Sequence, residues 1–242
     1  MSIIKKIKDK LYWVKQLWVS LFIYPTLREH DTKYNRYWHE RKLSAKSLNE
    51  FQQDRANLAL RYLEAGSSIM DIGAGNGAVL LDINKRKPMR YLIGVDISDD
   101  ALRMIRENGI NGIHADISML AERQLLPPVD YIFLFEVIEH TPSSEDLLNW
   151  AFSNARKGVF FSVPNTGFIS HRLRLLFGKF PLQWRAHPSE HVRFWTLRDM
   201  RWWLSQLNYQ NYQLIAYQGI PFLKRIQPSL AAQGLFVFIP KR

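Results

Sequence analysis

The run with the most chemistry in this 242-residue chain is Met70-Asp71-Ile72-Gly73-Ala74-Gly75-Asn76-Gly77, where three glycines at alternate positions follow an acid. Glycines at this spacing suit a turn with unusual backbone dihedrals that a ligand approaches closely. A dinucleotide site wants G-x-G-x-x-G, with the loop and the next helix end receiving a pyrophosphate. Here the pattern is D-x-G-x-G-x-G, and an acid ahead of the first glycine suits a cationic ligand better than a phosphate. Asp96 ends the run Tyr91-Leu92-Ile93-Gly94-Val95-Asp96, 25 residues after Asp71. A carboxylate at that point of a strand–helix–strand unit can accept both hydroxyls of an adenosine ribose. Asp116, after Ile113-His114-Ala115, is placed to accept an adenine amino group. The segment Phe135-Glu136-Val137-Ile138-Glu139-His140 adds two carboxylates and an imidazole. His140, with an ordinary pKa near ~6.5, suits a general base acting on a hydroxyl. In the plainer alternative Glu136 lines the ligand pocket and His140 caps the helix that follows.

These residues need a scaffold that brings strand ends together. Short apolar runs predict strands over Ser68–Ile72, Tyr91–Asp96, Gly112–His114, Asp130–Phe135, Gly158–Val163, Asn211–Tyr217 and Leu235–Ile239. Helical periodicity lies between most of them, at 77–87, 99–108, 145–156 and 197–207, and also over 31–65 with a break near Leu43–Ser47. Ser143 with Asp146, and Thr196 with Asp199, read as capping boxes. Strands alternating with helices predict an α/β fold, a mostly parallel sheet covered on both faces. In such a sheet a ligand sits at the carboxyl ends of the strands, where Asp71, Asp96, Asp116 and Glu136 fall.

With loop, ribose acid and strand order in place, residues 66–165 resemble the class I S-adenosylmethionine-dependent methyltransferases. The alternative, a dehydrogenase-like Rossmann domain, shares the strand pattern but not the acid before the loop. The resemblance implies a Rossmann-like seven-stranded sheet whose last strand is antiparallel, with S-adenosylmethionine as cofactor. It implies that Asp71, Gly73, Ala74, Gly75 and Gly77 hold the methionine part. Asp96 and Ile97 would meet the ribose, Asp116 and Ile117 the adenine, and Phe135 and Glu136 the pocket wall, with Asn165 beside them. Val163-Pro164-Asn165-Thr166-Gly167-Phe168, Arg172–Lys179 and His191–Asp199 are similar to MetW-type proteins, although those are generally shorter at the amino end. Glu136, Glu139, His140 and the later His191 look like the metal-holding set of small-RNA 2′-O-methyltransferases, and related motifs occur in ubiquinone-pathway O-methyltransferases. A divalent metal is therefore implied as an option, and so is RNA as an acceptor. The MetW likeness leaves room for a binding partner of a biosynthetic enzyme.

Charge divides the chain into three. Residues 1–46 carry eleven Lys/Arg against four Asp/Glu, residues 47–155 nine against sixteen, and residues 156–242 thirteen against two. Seven of the eight tryptophans lie in the two basic flanks, which should face something anionic. Ile3, Ile7, Leu11, Val14 and Trp18 recur at helical spacing among lysines, but Lys15 interrupts the apolar stretch and no small-residue cleavage pattern follows. This segment reads as a retained helix, either lying in the plane of a membrane or packed on its own domain or a partner. Residues 1–46 are expected to be a basic extension and residues 47–242 the catalytic domain, with an insertion over 166–195. That insertion interleaves Arg172, Arg174, Lys179, Arg185 and Arg193 with Phe168, Phe177, Phe180, Trp184 and Trp195. It could clamp a phosphate beside an apolar group, stack bases, or pack on the sheet with its arginines in water. There is no cysteine, which excludes disulfides, zinc–thiolate sites and a cysteine nucleophile. No run is long enough to span a bilayer. Together these features predict a methyltransferase acting on a hydroxyl of a small-molecule, lipid-linked, isoprenoid or glycan acceptor. His140 or Glu136 would be catalytic, with membrane contact through residues 1–30. The expected location is the cytoplasm, peripheral on the inner face of a membrane.

Overall fold

Seven apolar runs pair into one sheet, and its two buried faces follow from the alternation of side chains along each strand. In the computed structural model the described residues are 48–183 and 190–241, with Lys15, Trp18, Val19, Leu21, Phe22 and Tyr24 from the amino-terminal segment. The strands are β1 (Ser68–Ile72), β2 (Tyr91–Asp96), β3 (Asn111–His114), β4 (Val129–Phe135), β5 (Ala155–Pro164), β6 (Gln213–Tyr217) and β7 (Gly234–Pro240). Their spatial order is β3-β2-β1-β4-β5-β7-β6. The first five are parallel, and β7 runs antiparallel between β5 and β6. This is the Rossmann-like sheet expected from the sequence. Chain order reverses direction between β1 and β4, so a crevice opens where their carboxyl ends diverge.

Helices cover both faces: α1 (Glu50–Ala59), α2 (Ala78–Arg86), α3 (Asp99–Glu107), α4 (Leu120–Gln124), α5 (Ser144–Asn154), α6 (Ile169–Leu176), α7 (Leu197–Gln206), α8 (Pro221–Ile226) and α9 (Pro228–Ala231). On β4, Ile132 and Leu134 enter one core layer with Trp203 and Leu204 of α7. Tyr131, Phe133 and Phe135 enter the other with Leu80 of α2 and Leu102 and Ile105 of α3. The second layer is aromatic at its centre, where Phe160 stacks on Phe238 with ring centres 4.2 Å apart.

Local sequence sets several helix starts. Thr196 and Asp199 form the expected capping box on α7: the hydroxyl accepts from Asp199 N at 3.3 Å and the carboxylate from Thr196 N at 3.0 Å. An equivalent box, Asn49 with Gln52, opens α1. Ser143 does not cap α5. Its neighbour Ser144 does the local bonding instead, donating to the carbonyls of Ile138 at 2.8 Å and Thr141 at 2.7 Å. The helix expected to run to 156 ends at Asn154, because Ala155 already pairs with Val129 in the sheet. Helices α4, α6, α8 and α9, of four to eight residues, gave too little periodicity to stand out. Of the expected helix over 31–65 the structure shows α1, which stops at Ala59 before a turn over 60–62, and the part before residue 48 lies outside the described residues, as does most of the extension 1–46. Among the described residues no helix is long and apolar enough to cross a membrane.

The Thr196 cap gives a direct test. Thr196→Ala is expected to cost about 1 kcal/mol of unfolding free energy, read as a lower denaturant midpoint at unchanged slope.

Candidate active site

Strand register brings the carboxyl ends of the parallel strands to one edge. Asp71 pairs with Gly94 and Phe133, Asp96 with His114, and Phe135 with Ser162. The glycine loop bends over that edge. Gly73 N and Ala74 N both donate to Val95 O, at 2.8 and 3.1 Å, so the loop is stitched to the end of β2. Gly73 has φ +69°, and a Cβ there would lie 2.8 Å from Val137 Cγ2. Only glycine satisfies both the left-handed backbone and this close approach. Asp96 accepts from Gly75 N and from Ser98 N, each at 2.9 Å, which fixes the carboxylate beside the loop. Asp116 accepts from Ser118 N at 2.9 Å and Ser118 Oγ at 2.6 Å. Ile97 is exposed at the same edge and Ile117 is half-buried against the core.

Burial governs the electrostatics. It pushes the Asp71 carboxyl up to about 8, against the pull of Arg55 and with the push of Asp96. It also raises Asp96, although the amides of Ser98, Gly75 and Ile97 oppose it. The partner of this acidic edge is Arg55 on α1, which spacing from the glycine loop did not reveal. Its Nη1 lies 3.2 Å from Glu136 Oε1 and 3.4 Å from Tyr217 OH. Burial works against the guanidinium charge, yet Tyr217 and Glu136 more than compensate and hold its pKa above the ordinary value. The Arg55 Nε is buried without a hydrogen-bond partner. One sequence signal did exist: Arg55 shares a helix face with Leu58 and Ala59, an unusual place for an arginine. Ser162 on β5, also unforeseen, donates to Glu136 Oε1 at 2.8 Å. Glu136 itself has φ +57°, a conformation that non-glycine residues seldom adopt and that concentrates at functional sites.

Beyond Glu136 the chain makes a short 3-10 turn, Ile138–His140, and meets the returning end of the insertion. Val192 N and Arg193 N donate to Glu139 O at 2.9 and 3.1 Å. His191 is thereby placed beside His140, with ring centres 4.6 Å apart and planes at 85°. Ligand atoms of Glu139, His140 and His191 all lie within 4.8 Å of one another. His140 Nδ1 is bonded to the carbonyl of Glu190. A carbonyl only accepts, so Nδ1 carries the hydrogen and the neutral ring keeps its lone pair on Nε2. The Glu139 carboxylate is buried and both its oxygens lack a hydrogen-bond partner. Burial, then the nearby Glu136, raise its pKa well above the carboxylate range. Burial, then His140, lower His191 to about 4. Of the four residues in the suggested metal set, three converge and Glu136 turns to Arg55 instead.

Asn165 does not line a pocket. It is fully buried, donates to Ser229 O at 3.1 Å and Ala232 O at 2.7 Å, and accepts from Gly167 N at 3.0 Å. Its backbone pairs with Trp195, so the two ends of the 166–195 insertion are pinned together. Within it Phe168, Arg174 and Trp195 are buried, Arg193 is paired with Glu145, and Trp184 and Arg185 lie outside the described residues.

A seven-stranded sheet of this order, with an acid-led glycine loop at the switch point and an acid ending the next strand, defines a class I S-adenosylmethionine-dependent methyltransferase. Residues 37–214 match the family described as methyltransferase domain, and the chain belongs to it. The bifunctional methionine biosynthesis protein MetXA/MetW of Rhodopirellula baltica is 28% identical over 164 residues, 62% of this chain and 26% of that protein. The mitochondrial ubiquinone biosynthesis O-methyltransferase of Saccharomyces cerevisiae is 21% identical over 164 residues, 64% of this chain and 53% of that protein. The chain thus spans from about a quarter to about half the length of these relatives. A crystal structure of an S-adenosylmethionine-dependent methyltransferase from Archaeoglobus fulgidus superposes with a TM-score of 0.60 at 16% identity, over 87% of this chain and all of that one. Membership of this family, with the acid-led glycine loop and the acid ending β2, fits S-adenosylmethionine as cofactor.

The orphaned carboxyl of Glu139 has a measurable consequence. Its raised pKa means that the folded protein holds this proton after the unfolded chain has lost it, so stability is full in acid and falls as pH rises through the folded value. In metal-free buffer Glu139→Gln should therefore raise the denaturation midpoint at pH 8 and change it least at pH 4.

Proposed function

We propose that this methyltransferase acts on a hydroxyl oxygen of a lipid-linked, isoprenoid or glycan acceptor at a membrane surface. The observation that carries the oxygen chemistry is His140, at the end of the 3-10 turn that follows β4, whose Nδ1 is bonded to the Glu190 carbonyl and whose Nε2 is the accepting nitrogen of the neutral ring. Asp71 receives the cofactor ammonium and the loop Gly73, Ala74, Gly75 and Gly77 carries the methionine part. Asp96 with Ile97 takes the ribose, Asp116 with Ile117 the adenine, and Phe135 walls the pocket. Arg55 holds Glu136 in place through its Nη1, 3.2 Å from Glu136 Oε1. Bound there, S-adenosylmethionine would supply the methyl group to an acceptor oxygen in line with its sulfur, the O–C bond forming as the S–C bond breaks to leave a neutral thioether. His140 Nε2 takes the hydroxyl proton. The basic, aromatic flanks support an acceptor presented at an anionic surface.

A second use of the same cluster has specific support. Two unpartnered oxygens of a buried glutamate beside two imidazoles fit a divalent ion held by Glu139, His140 and His191. A bound ion there would supply Lewis-acid activation of the acceptor hydroxyl. Mixed carboxylate and imidazole ligands suit manganese or zinc, and magnesium with added water. Ligation through His140 Nε2 and proton transfer to it exclude each other, so chelation separates the two. With His140 as base, chelator leaves turnover intact and His140→Ala lowers kcat by about 10²–10⁴-fold at unchanged affinity for S-adenosylhomocysteine. Turnover that stops with chelator and with His191→Ala assigns the metal role.

The acceptor is tested by incubating the protein with radiolabelled S-adenosylmethionine and fractionated cell extract. Label is expected in the lipid or lipid-linked glycan fraction; label confined to RNA replaces this reading with RNA 2′-O-methylation. No label in any fraction, with a stoichiometric protein partner co-purifying, replaces it with a regulatory role.

Cofactor binding should also depend on pH. In the unliganded protein Asp71 keeps its proton up to about 8, whereas a bound ammonium favours the carboxylate. Binding below that pH releases a proton, so affinity should rise from pH 6 to 8 by up to about tenfold per unit. Asp71→Asn should bind more weakly and flatten the profile, measured by calorimetry in buffers of different ionisation heat.

A further inference from the structure

We infer that an anionic lipid bilayer docks on one composite face, built jointly by the amino-terminal helix and by helix α6 of the insertion. This deepens the membrane-surface reading above and rests on it for its setting. Lys15, Trp18, Val19, Leu21 and Phe22 are helical, and this segment lies against α6 although some 150 residues separate them in sequence. The join is Arg174. Its side chain is fully buried, its Nε donates to Phe180 O at 2.8 Å, its Nη1 donates to Leu21 O at 3.3 Å, and its guanidinium lies 4.7 Å from the centre of the Tyr24 ring. Lys179 Nζ lies 5.8 and 5.7 Å from the ring centres of Phe22 and Tyr24. Trp18 packs on Phe22, and Phe180 packs on Phe194.

Around this join the apolar side chains are left in water. Trp18, Phe22, Leu176, Phe177 and Phe180 are each more than half exposed, Leu176 at 76%. Exposed apolar side chains gathered on both sides of such a join are a docking feature. Its charge selects the partner. Lys15, Arg172 and Lys179 accompany it, and the sequence holds no Asp or Glu from 10 to 28 or from 147 to 189. Aromatic and aliphatic side chains ringed by cations match acyl chains beneath anionic headgroups. A nucleic acid would use the rings and the cations but has no use for exposed Leu175 and Leu176, since stacking needs planar groups. Phe180 of this face packs on Phe194, three residues beyond His191, so docking here turns the candidate catalytic cluster toward the bilayer.

The test is co-sedimentation of the full chain with vesicles of phosphatidylcholine, with and without phosphatidylglycerol, and with single-stranded RNA as competitor. Two double variants are compared: Trp18→Glu with Phe22→Glu, and Leu176→Glu with Phe177→Glu. S-adenosylhomocysteine binding reports that each is folded. The native chain should bind the anionic vesicles and not the neutral ones, and each double variant should lose at least about tenfold in affinity. The composite face is overturned if the Leu176/Phe177 variant binds like the native chain, if neither vesicle type is bound, or if RNA displaces the vesicles. Vesicle binding as expected, with no methyl label in any lipid fraction, would sink the acceptor reading and leave the docking face standing; lipid labelling without vesicle binding would do the reverse.

Discussion

The Arg55 guanidinium is the interaction on which the acidic edge of the sheet depends. Asp71 and Glu139 are buried, Asp96 nearly so, and Glu136 sits among them. Carboxylates taken out of water strongly disfavour their charged forms unless a cation or several donors face them. Arg55 reaches Glu136 directly and lowers the Asp71 and Glu139 pKa values through space, without bringing either back to the ordinary carboxylate range. The residual imbalance is of a useful kind. A methyl donor brings a sulfonium and an ammonium, so the site gains electrostatically when that ligand arrives and has little to offer a pyrophosphate. Asp71, Asp96, Glu136 and Glu139 are four of the sixteen acids that make residues 47–155 acidic.

That edge can exist only if several elements agree about where strands end. Register places Asp71, Asp96, Phe135 and Ser162 along one rim. Gly73 then lets the loop pass within contact of Val137, so the glycine loop and the Glu136–His140 segment share a wall. The left-handed backbone of Glu136 turns the chain at the end of β4 and is held by Ser162 Oγ, Arg55 and the Ser162 carbonyl, which accepts from Glu136 N at 3.0 Å. Strain at a strand end persists where neighbours over-determine it, as here.

What could be read from sequence was whatever local chemistry dictates. Alternation and glycine spacing located the strands and the loop, and a strand end followed by an acid located Asp96 and Asp116. The Thr196 box was legible because both its partners lie within one turn. Arg55 and Tyr217 were not, since one precedes the loop on a separate helix and the other comes from β6, and only the tertiary fold brings them together. Asn165 was misjudged for a related reason. A polar residue at a strand end usually faces a ligand, but here backbone carbonyls of α9 and its carboxyl end claim the amide. The insertion shows how little charge counting resolves: of its cations, Arg174 is buried, Arg193 pairs with Glu145, and Arg172 donates to Gly167 O.

The cluster at the mouth of the site follows from the same low-dielectric logic. Burial raises Glu139 and lowers His191, so near neutral pH both tend toward their uncharged forms, an acid that keeps its proton and a base that refuses one. His140 differs from both. It is the more exposed neighbour of Glu139, and its Nδ1 is anchored to a backbone carbonyl, which leaves Nε2 as the basic nitrogen of a ring that cannot turn freely. Beside these two groups the oriented imidazole gives the cluster a defined place for an incoming proton or cation. The backbone bonds from Val192 and Arg193 to Glu139 O make this arrangement conditional on the insertion being seated. The candidate catalytic residues are thus assembled by the segment that also carries the exposed aromatic side chains, and under the proposed function chemistry and acceptor delivery would share one structural element.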